Sequence, residues 1–151
     1  MHILFVCTGN TCRSPMAEAY FRYLIKKNDI KDITVSSAGT YAGNGESASP
    51  FAIKTLQKYE ITLKEHKSSA IGREMIDKAD LIIAMTASHR NRIGMICPEK
   101  LEKIKLLNEY NAGGDVGDPF GGGQDIYESC FNSMRAALDN LFDTLTNQKE
   151  V

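Results

Sequence analysis

Residues 3–14 read Ile3-Leu4-Phe5-Val6-Cys7-Thr8-Gly9-Asn10-Thr11-Cys12-Arg13-Ser14, and their order decides the fold. The first four form an unbroken apolar run, the pattern of a strand buried on both faces. The next residues are small and polar, as in a loop. From Ser14 onward, Pro15 near a first turn and Met16, Ala19, Tyr20, Tyr23 and Leu24 at helical spacing predict a helix over residues 14–27. A strand (residues 2–6), a tight loop and a helix in that order are the opening of an α/β fold.

The rest of the chain continues the alternation. Residues 33–36 read as a second strand, followed by a Gly-, Asn- and Ser-rich loop over 38–49. Ser49-Pro50 opens a helix carrying Phe51, Ile53, Leu56 and Tyr59. Residues 81–85, Leu-Ile-Ile-Ala-Met, read as a buried third strand. A short helix over 88–96 ends at Cys97-Pro98, and 103–107 reads as a fourth strand. After a Gly-rich loop over 111–123, residues 125–146 predict a long helix with Ile126, Met134, Leu138, Leu141 and Leu145 on its apolar side. The expectation is one α/β domain over residues 1–151. It has three layers: a four-stranded parallel sheet with helices on both faces, and a phosphate loop after strand 1.

Bulk properties narrow the function classes. The chain has 151 residues, 42% hydrophobic and 25% charged. By length it is one domain, able to bury about two-thirds of its unfolded surface. A net charge of −1 gives no reason to expect nucleic acid or an anionic membrane as partner. No apolar run approaches the roughly 20 residues of a membrane span. The first residues are a strand and a loop, not a signal peptide. Cys7, Cys12, Cys97 and Cys130 are too few and too irregular for a secreted disulfide scaffold, so reduced thiols in the cytoplasm are expected. No metal-ligand spacing occurs among the cysteines and the three histidines. No metal or cofactor is expected, and the oligomeric expectation is a monomer.

The loop carries the chemistry. A loop at a helix N-terminus aims several backbone N–H groups at one spot, and the helix dipole adds positive potential. Thr8, Gly9, Asn10, Thr11, Cys12, Arg13 and Ser14 therefore form the expected phosphate-binding set. Arg13 can add a planar fork to two phosphate oxygens. Cys7, at the end of the strand, sits under the same field, which favours its thiolate. Asn10 tolerates the left-handed backbone of a tight nest and can brace it. Ser14 can donate a hydroxyl hydrogen bond to the Cys7 sulfur. The plainer alternative is a buried Cys after a core strand with Arg13 solvated at the helix start. A cysteinyl-phosphate route also needs a proton donor. Asp115 and Asp118 both lie in the loop after the fourth strand. Pro119 stiffens the chain at Asp118, and Phe120 offers an apolar wall that would raise its pKa. A plain Asp-Pro turn is the bland alternative.

The C-x5-R-S loop after a strand resembles that of the cysteine-dependent protein phosphatases. With its position at the start of the chain and the run VCTGNTCRSPMAEA over residues 6–19, it resembles the low-molecular-weight protein tyrosine phosphatase family. The resemblance runs from Leu4 to the terminal helix. It implies Cys7 as nucleophile, Arg13 as transition-state clamp and Asp118, in Asp118-Pro119-Phe120, as general acid and base. It implies that Ser37 and His66 join Asn10 in a hydrogen-bonded network behind the loop. A surface histidine beside Glu65 and Lys67 is the alternative for His66. It further implies that Cys12 can form a reversible disulfide with Cys7 under oxidant, the alternative being a packing residue. His2 and His89 read as ordinary surface positions, and Cys97 and Cys130 as structural.

The family resemblance leaves the substrate open between two readings. Phosphotyrosine-specific members tend to have an aliphatic residue at Thr11, a Trp after the second strand and a second aromatic after D-P-[FY]. This chain has Thr11, no Trp, and Gly121 in the last place. These features resemble the arginine phosphatase branch, and the Thr11 hydroxyl suits a guanidinium better than a phenyl ring. Tyr41 and Phe120 can still wall an aromatic pocket. Phosphorylated proteins or peptides carrying phosphotyrosine or phosphoarginine are the expected partners, with phosphate or other oxyanions in the site. Arsenate reduction would want a cysteine pair near residues 80 to 90, which is missing. A catalytically silent phosphoprotein-binding module would predict loss of Cys7, Arg13 or Asp118, and all three are present.

Overall fold

Strand β1 (His2–Cys7) sends alternate side chains to opposite sides. Ile3, Phe5 and Cys7 enter one apolar core, and Leu4 and Val6 enter the other. A strand buried on both faces needs neighbours on both edges and cover above and below. In the computed structural model, which describes residues 1–147, both are supplied. β2 (Thr34–Gly39) pairs on one edge and β3 (Leu81–Ala84) on the other, and β4 (Ile104–Leu106) lies outside β3. The order is β2-β1-β3-β4, all parallel. The chain reverses its direction of travel across the sheet between β1 and β3. A ligand site is expected at that switch point, off the carboxyl ends of the strands.

Two groups of helices cover the faces. α1 (Arg13–Lys27), α2 (Pro50–Gln57) and α5 (Gln124–Asn147) pack over the side holding Ile3, Phe5 and Ile83. Aromatic rings seam this layer: Phe5 meets Phe21, Tyr20 meets the edge of Phe131, and Phe21 meets the edge of Phe142, at centroid distances of 5.5–5.7 Å. α3 (Arg73–Lys78) and α4 (Ala87–Ile96) cover the opposite side through Ile76, Ile93 and Cys97. The three-layer α/β domain with helices on both faces is as the sequence predicts.

The differences are local. β2 runs through Gly39, beyond the expected 33–36, because Ser37, Ala38 and Gly39 continue the ladder opposite Phe5, Val6 and Cys7. α3 has no counterpart in the sequence reading; it is six residues long and buries only Ile76, too little for a periodic signal. On α1 the buried stripe includes Ala17 and Phe21, while Tyr23 is exposed beneath Lys27. Phe51 and Ile126, expected on apolar faces, are also partly or mostly exposed.

Candidate active site

Cys7 ends β1, and the chain turns through residues 8–12 before α1 begins at Arg13. Among the described residues, no carbonyl accepts a hydrogen bond from the backbone N–H groups of residues 8–12. Such donors suit an anion seated in the loop. Asn10 is held at φ +55, the left-handed conformation that Asn tolerates better than most residues.

The loop is braced from behind. Asn10 Nδ2 donates to Ser14 Oγ at 2.8 Å and to Ser37 Oγ at 2.9 Å, and its Oδ1 accepts from the Ser69 N–H. Ser14 Oγ lies 2.9 Å from Cys7 Sγ. Because Ser14 already accepts from Asn10, its own proton is free for the sulfur. Ser37 Oγ donates a hydrogen bond to the Glu18 carboxylate, and Glu18 pairs with Arg22. His66 Nε2 donates to the Asn10 carbonyl at 2.7 Å. The structure thus brings Asn10, Ser14, Ser37 and His66 together with Cys7. Glu18 is an addition. Its position one turn beyond Ser14 in α1 was the available signal.

Arg13 is almost fully buried, 4% exposed, and its guanidinium crosses the site. Nη1 donates to the Val116 carbonyl at 2.9 Å, and Nη2 donates to Thr8 Oγ1 at 3.3 Å. The same Nη2 lies 3.6 Å from the Asp118 carboxylate. Asp118 therefore comes to the mouth of the loop. Asp115 does not: its carboxylate accepts from the Ala87 N–H at the start of α4, a structural anchor. The expected apolar wall is corrected here. Phe120 is 80% exposed and the Asp118 side chain 52% exposed, so the ring does not bury the carboxylate. Instead Asp118 accepts from the Phe120 N–H, which fixes the turn. Tyr41 is exposed as well, at 83%. Thr11 is half-buried, with Oγ1 3.7 Å from Cys12 Sγ. Cys12 is buried and bonded to the Tyr127 hydroxyl at 3.2 Å. Burial and the Cys12 contact raise the Tyr127 pKa. All four cysteines are free thiols, and burial pushes Cys130 up to about 11.

The surface reading of the histidines is also corrected. His2 is half-buried and bonds Thr34 and Ser36. His89 is 4% exposed and sits at the site: Nε2 shares a hydrogen bond with Thr8 Oγ1 at 2.7 Å, and Nδ1 one with Thr86 Oγ1 at 3.0 Å. Burial first, then the charge of Arg13, push its pKa down to about 4, against weaker upward pulls from Asp115 and Asp118. A Thr three residues before a His, directly after a strand at the sheet's carboxyl edge, was the signal for it. Among the described residues no group of three His, Cys, Asp or Glu side chains could hold a metal, and no helix is long and apolar enough to cross a membrane.

With this geometry in place, comparisons with known proteins are specific. The family model for low molecular weight phosphotyrosine protein phosphatase matches residues 2–151. A protein-arginine-phosphatase from Bacillus subtilis (strain 168) is 40% identical over 151 residues, covering 99% of each chain. A low molecular weight protein-tyrosine-phosphatase from Streptomyces coelicolor is 34% identical, covering 98% of this chain and 95% of that protein. Among solved structures, a mutant of the arginine phosphatase YwlE with a phosphorylated active site serine superimposes with a TM-score of 0.92. It is 40% identical, covering 97% of this chain and 96% of the other.

Proposed function

The chain belongs to the low molecular weight phosphotyrosine protein phosphatase family and is a cysteine-based protein phosphatase; from that premise we propose how its residues divide the reaction and which substrate it takes. Cys7 Sγ attacks phosphorus in line with the bond to the leaving group. Asp118, entering protonated, gives its proton to the departing atom. Arg13 and the loop N–H groups hold the equatorial oxygens as charge spreads over them. Asp118, now a carboxylate, takes a proton from water. That water displaces the cysteinyl phosphate, releasing inorganic phosphate and returning Cys7 and Asp118 to their starting states. The observation that carries this reading is the span of Arg13, which ties Thr8 of the nucleophile loop to Val116 and Asp118 of the acid loop. The phosphorylated serine in the similar YwlE mutant supports a covalent phospho-enzyme.

For substrate, we propose protein phosphoarginine. Thr11 puts a hydroxyl in the loop where an aliphatic side chain would favour a phenyl ring. Gly121, after Asp118-Pro119-Phe120, has φ +85, a conformation that strains any aromatic placed there. Once its proton is given up, Asp118 faces the departing guanidinium as a carboxylate, which suits a cationic side chain. The likeness to arginine phosphatases over the whole chain supports this reading. Phosphotyrosine is the second reading, favoured by the exposed rings of Tyr41 and Phe120. The test is kcat/KM on matched phosphoarginine and phosphotyrosine peptides. Preference for phosphoarginine is expected; no turnover of it would assign the enzyme to phosphotyrosine. We place the enzyme in the cytoplasm as a monomer acting on phosphorylated proteins, and the four free thiols support a reducing compartment. Cys12 is assigned as the resolving thiol for an oxidised Cys7. Peptide mapping after mild peroxide should find a Cys7–Cys12 disulfide, and its absence would leave Cys12 to its contact with Tyr127.

A further inference from the structure

The first turn of α4 grips both halves of the site. On one side, His89 reaches Thr8, the first residue of the phosphate loop, at 2.7 Å. On the other, the Ala87 N–H holds Asp115, and Met85, two residues before α4, accepts from the Val116 N–H at 2.9 Å. Val116 in turn accepts from Arg13, and Thr8 accepts from the other end of Arg13. The result is a closed circuit: α4, Thr8, Arg13, Val116 and back to the start of α4. Each link is a hydrogen bond, and His89 is the only side chain of α4 in it.

We propose that His89 is a positioning residue for phosphoryl transfer, setting the Arg13 clamp through Thr8. The hydroxyl of Thr8 can turn freely about its own bond. Its contact with His89 fixes which way it faces, and therefore where Arg13 Nη2 rests. Thr86 fixes the ring in turn, by bonding Nδ1 and by capping the helix through the His89 N–H. The imidazole is neutral in its buried seat, so it orients Thr8 without adding a second cation beside Arg13. A clamp built for planar oxygens loses its value when it is displaced, since misplacement by about 1 Å costs up to about a hundredfold in rate.

This assignment rests on the catalytic reading above, and the two are tested separately. Wild-type turnover of p-nitrophenyl phosphate tests the reading itself; an inactive wild type would overturn it. The positioning role is tested by which ring nitrogen matters. His89→Gln keeps a polar group where Nε2 sits and retains the link to Thr8. His89→Asn keeps one only where Nδ1 sits and retains the link to Thr86. We expect His89→Asn to lose about tenfold or more in kcat/KM, and His89→Gln to stay within about threefold of wild type. The inhibition constant for vanadate should rise in step with that loss in His89→Asn and hold in His89→Gln. Equal losses in the two variants, or an unchanged vanadate constant in His89→Asn, would reduce His89 to a packing residue. Thr8→Val removes the receiving hydroxyl while leaving His89 in place, so it carries the test if a His89 variant fails to fold. It should lose activity to a similar extent, and the double variant Thr8→Val/His89→Asn should be no worse than either single one. Wild-type kinetics in Thr8→Val, or losses that multiply in the double variant, would overturn the proposal.

Discussion

Asn10 ties the nucleophile loop to Ser37 of β2 and to Ser69 with every polar group of its side chain in use, and this gives Cys7 its partner. Both amide protons are placed, one on Ser14 and one on Ser37, so the Ser14 proton is directed at the Cys7 sulfur. Cys7→Ser should therefore leave the fold and its melting temperature nearly unchanged while abolishing turnover of p-nitrophenyl phosphate. Retention of a sizeable part of wild-type turnover would move the nucleophile elsewhere. Asp118 is half exposed and 3.6 Å from Arg13, in position to serve a leaving group entering from solvent. Asp118→Asn should depress turnover much more for aryl phosphates with poor leaving groups than for good ones, because only the former need protonation. A slope against leaving-group pKa equal to that of wild type would exclude Asp118 as the acid. Thr11→Ile probes substrate choice: it removes a hydroxyl and adds apolar bulk at the loop. The ratio of kcat/KM for phosphoarginine over phosphotyrosine should fall by an amount worth about 1–3 kcal/mol, the cost of unpairing polar groups in a closed site. An unchanged ratio would take Thr11 out of substrate selection. Much of this site was legible in the sequence, because one loop concentrates the distinctive residue types in eight positions. His89 and Glu18 were only faintly legible, Glu18 by its place one turn beyond Ser14 and His89 by its place three residues after Thr86. Each is a single polar residue on a helix, and only the packing of that helix brings it to the loop.

At the scale of elements, β2 does more than lengthen the sheet. Its last residue, Gly39, lies opposite Cys7, and the chain beyond it returns two hydrogen bonds, from Thr40 N–H to the Cys7 carbonyl and from Tyr41 N–H to the Thr8 carbonyl. A Cβ on Gly39 would stand 2.3 Å from the Thr8 carbonyl oxygen and 3.0 Å from the Asn10 nitrogen. Both atoms are backbone, so neither can swing aside. Gly39→Ala should cost about 1–3 kcal/mol by overpacking. Because the displaced atoms belong to the phosphate loop, activity should fall well beyond what the lower stability accounts for, by up to about a hundredfold. Thermal melting beside kcat/KM measures both, and a variant with wild-type kinetics would show that the loop does not depend on this contact. The strands were readable from sequence because they are short apolar runs bounded by turn residues. Their ends were less so: Ser37 and Gly39 lack strand character, and parallel pairing with β1 holds them extended. α3 was unreadable for the related reason that its place is fixed by one buried side chain, Ile76.

For the whole molecule, the buried His89 couples protonation to global stability. An unfolded imidazole titrates near 6.5, whereas the folded one does so near 4, because burial and Arg13 disfavour the cation. Between these values the unfolded chain binds the extra proton and the folded chain does not. By linkage, stability rises with pH across that window. The contribution of His89 is fully present above about 6.5 and is lost progressively as pH falls toward about 4. Asp115 and Asp118 face the same ring and oppose the shift, but both remain in a His89→Gln variant, so a comparison with wild type isolates the imidazole. Denaturant melts of the two proteins between pH 7 and pH 4 provide the measurement. Wild type should lose more stability than His89→Gln as the pH is lowered, with the difference accumulating between about 6.5 and about 4. The same pH range carries protonation of carboxylates in both proteins, which lowers the two curves together and leaves their difference intact. If the two curves stay parallel throughout, His89 takes up its proton as readily in the folded protein as in the unfolded chain. Its ring would then not be held neutral between Thr8, Thr86 and Arg13.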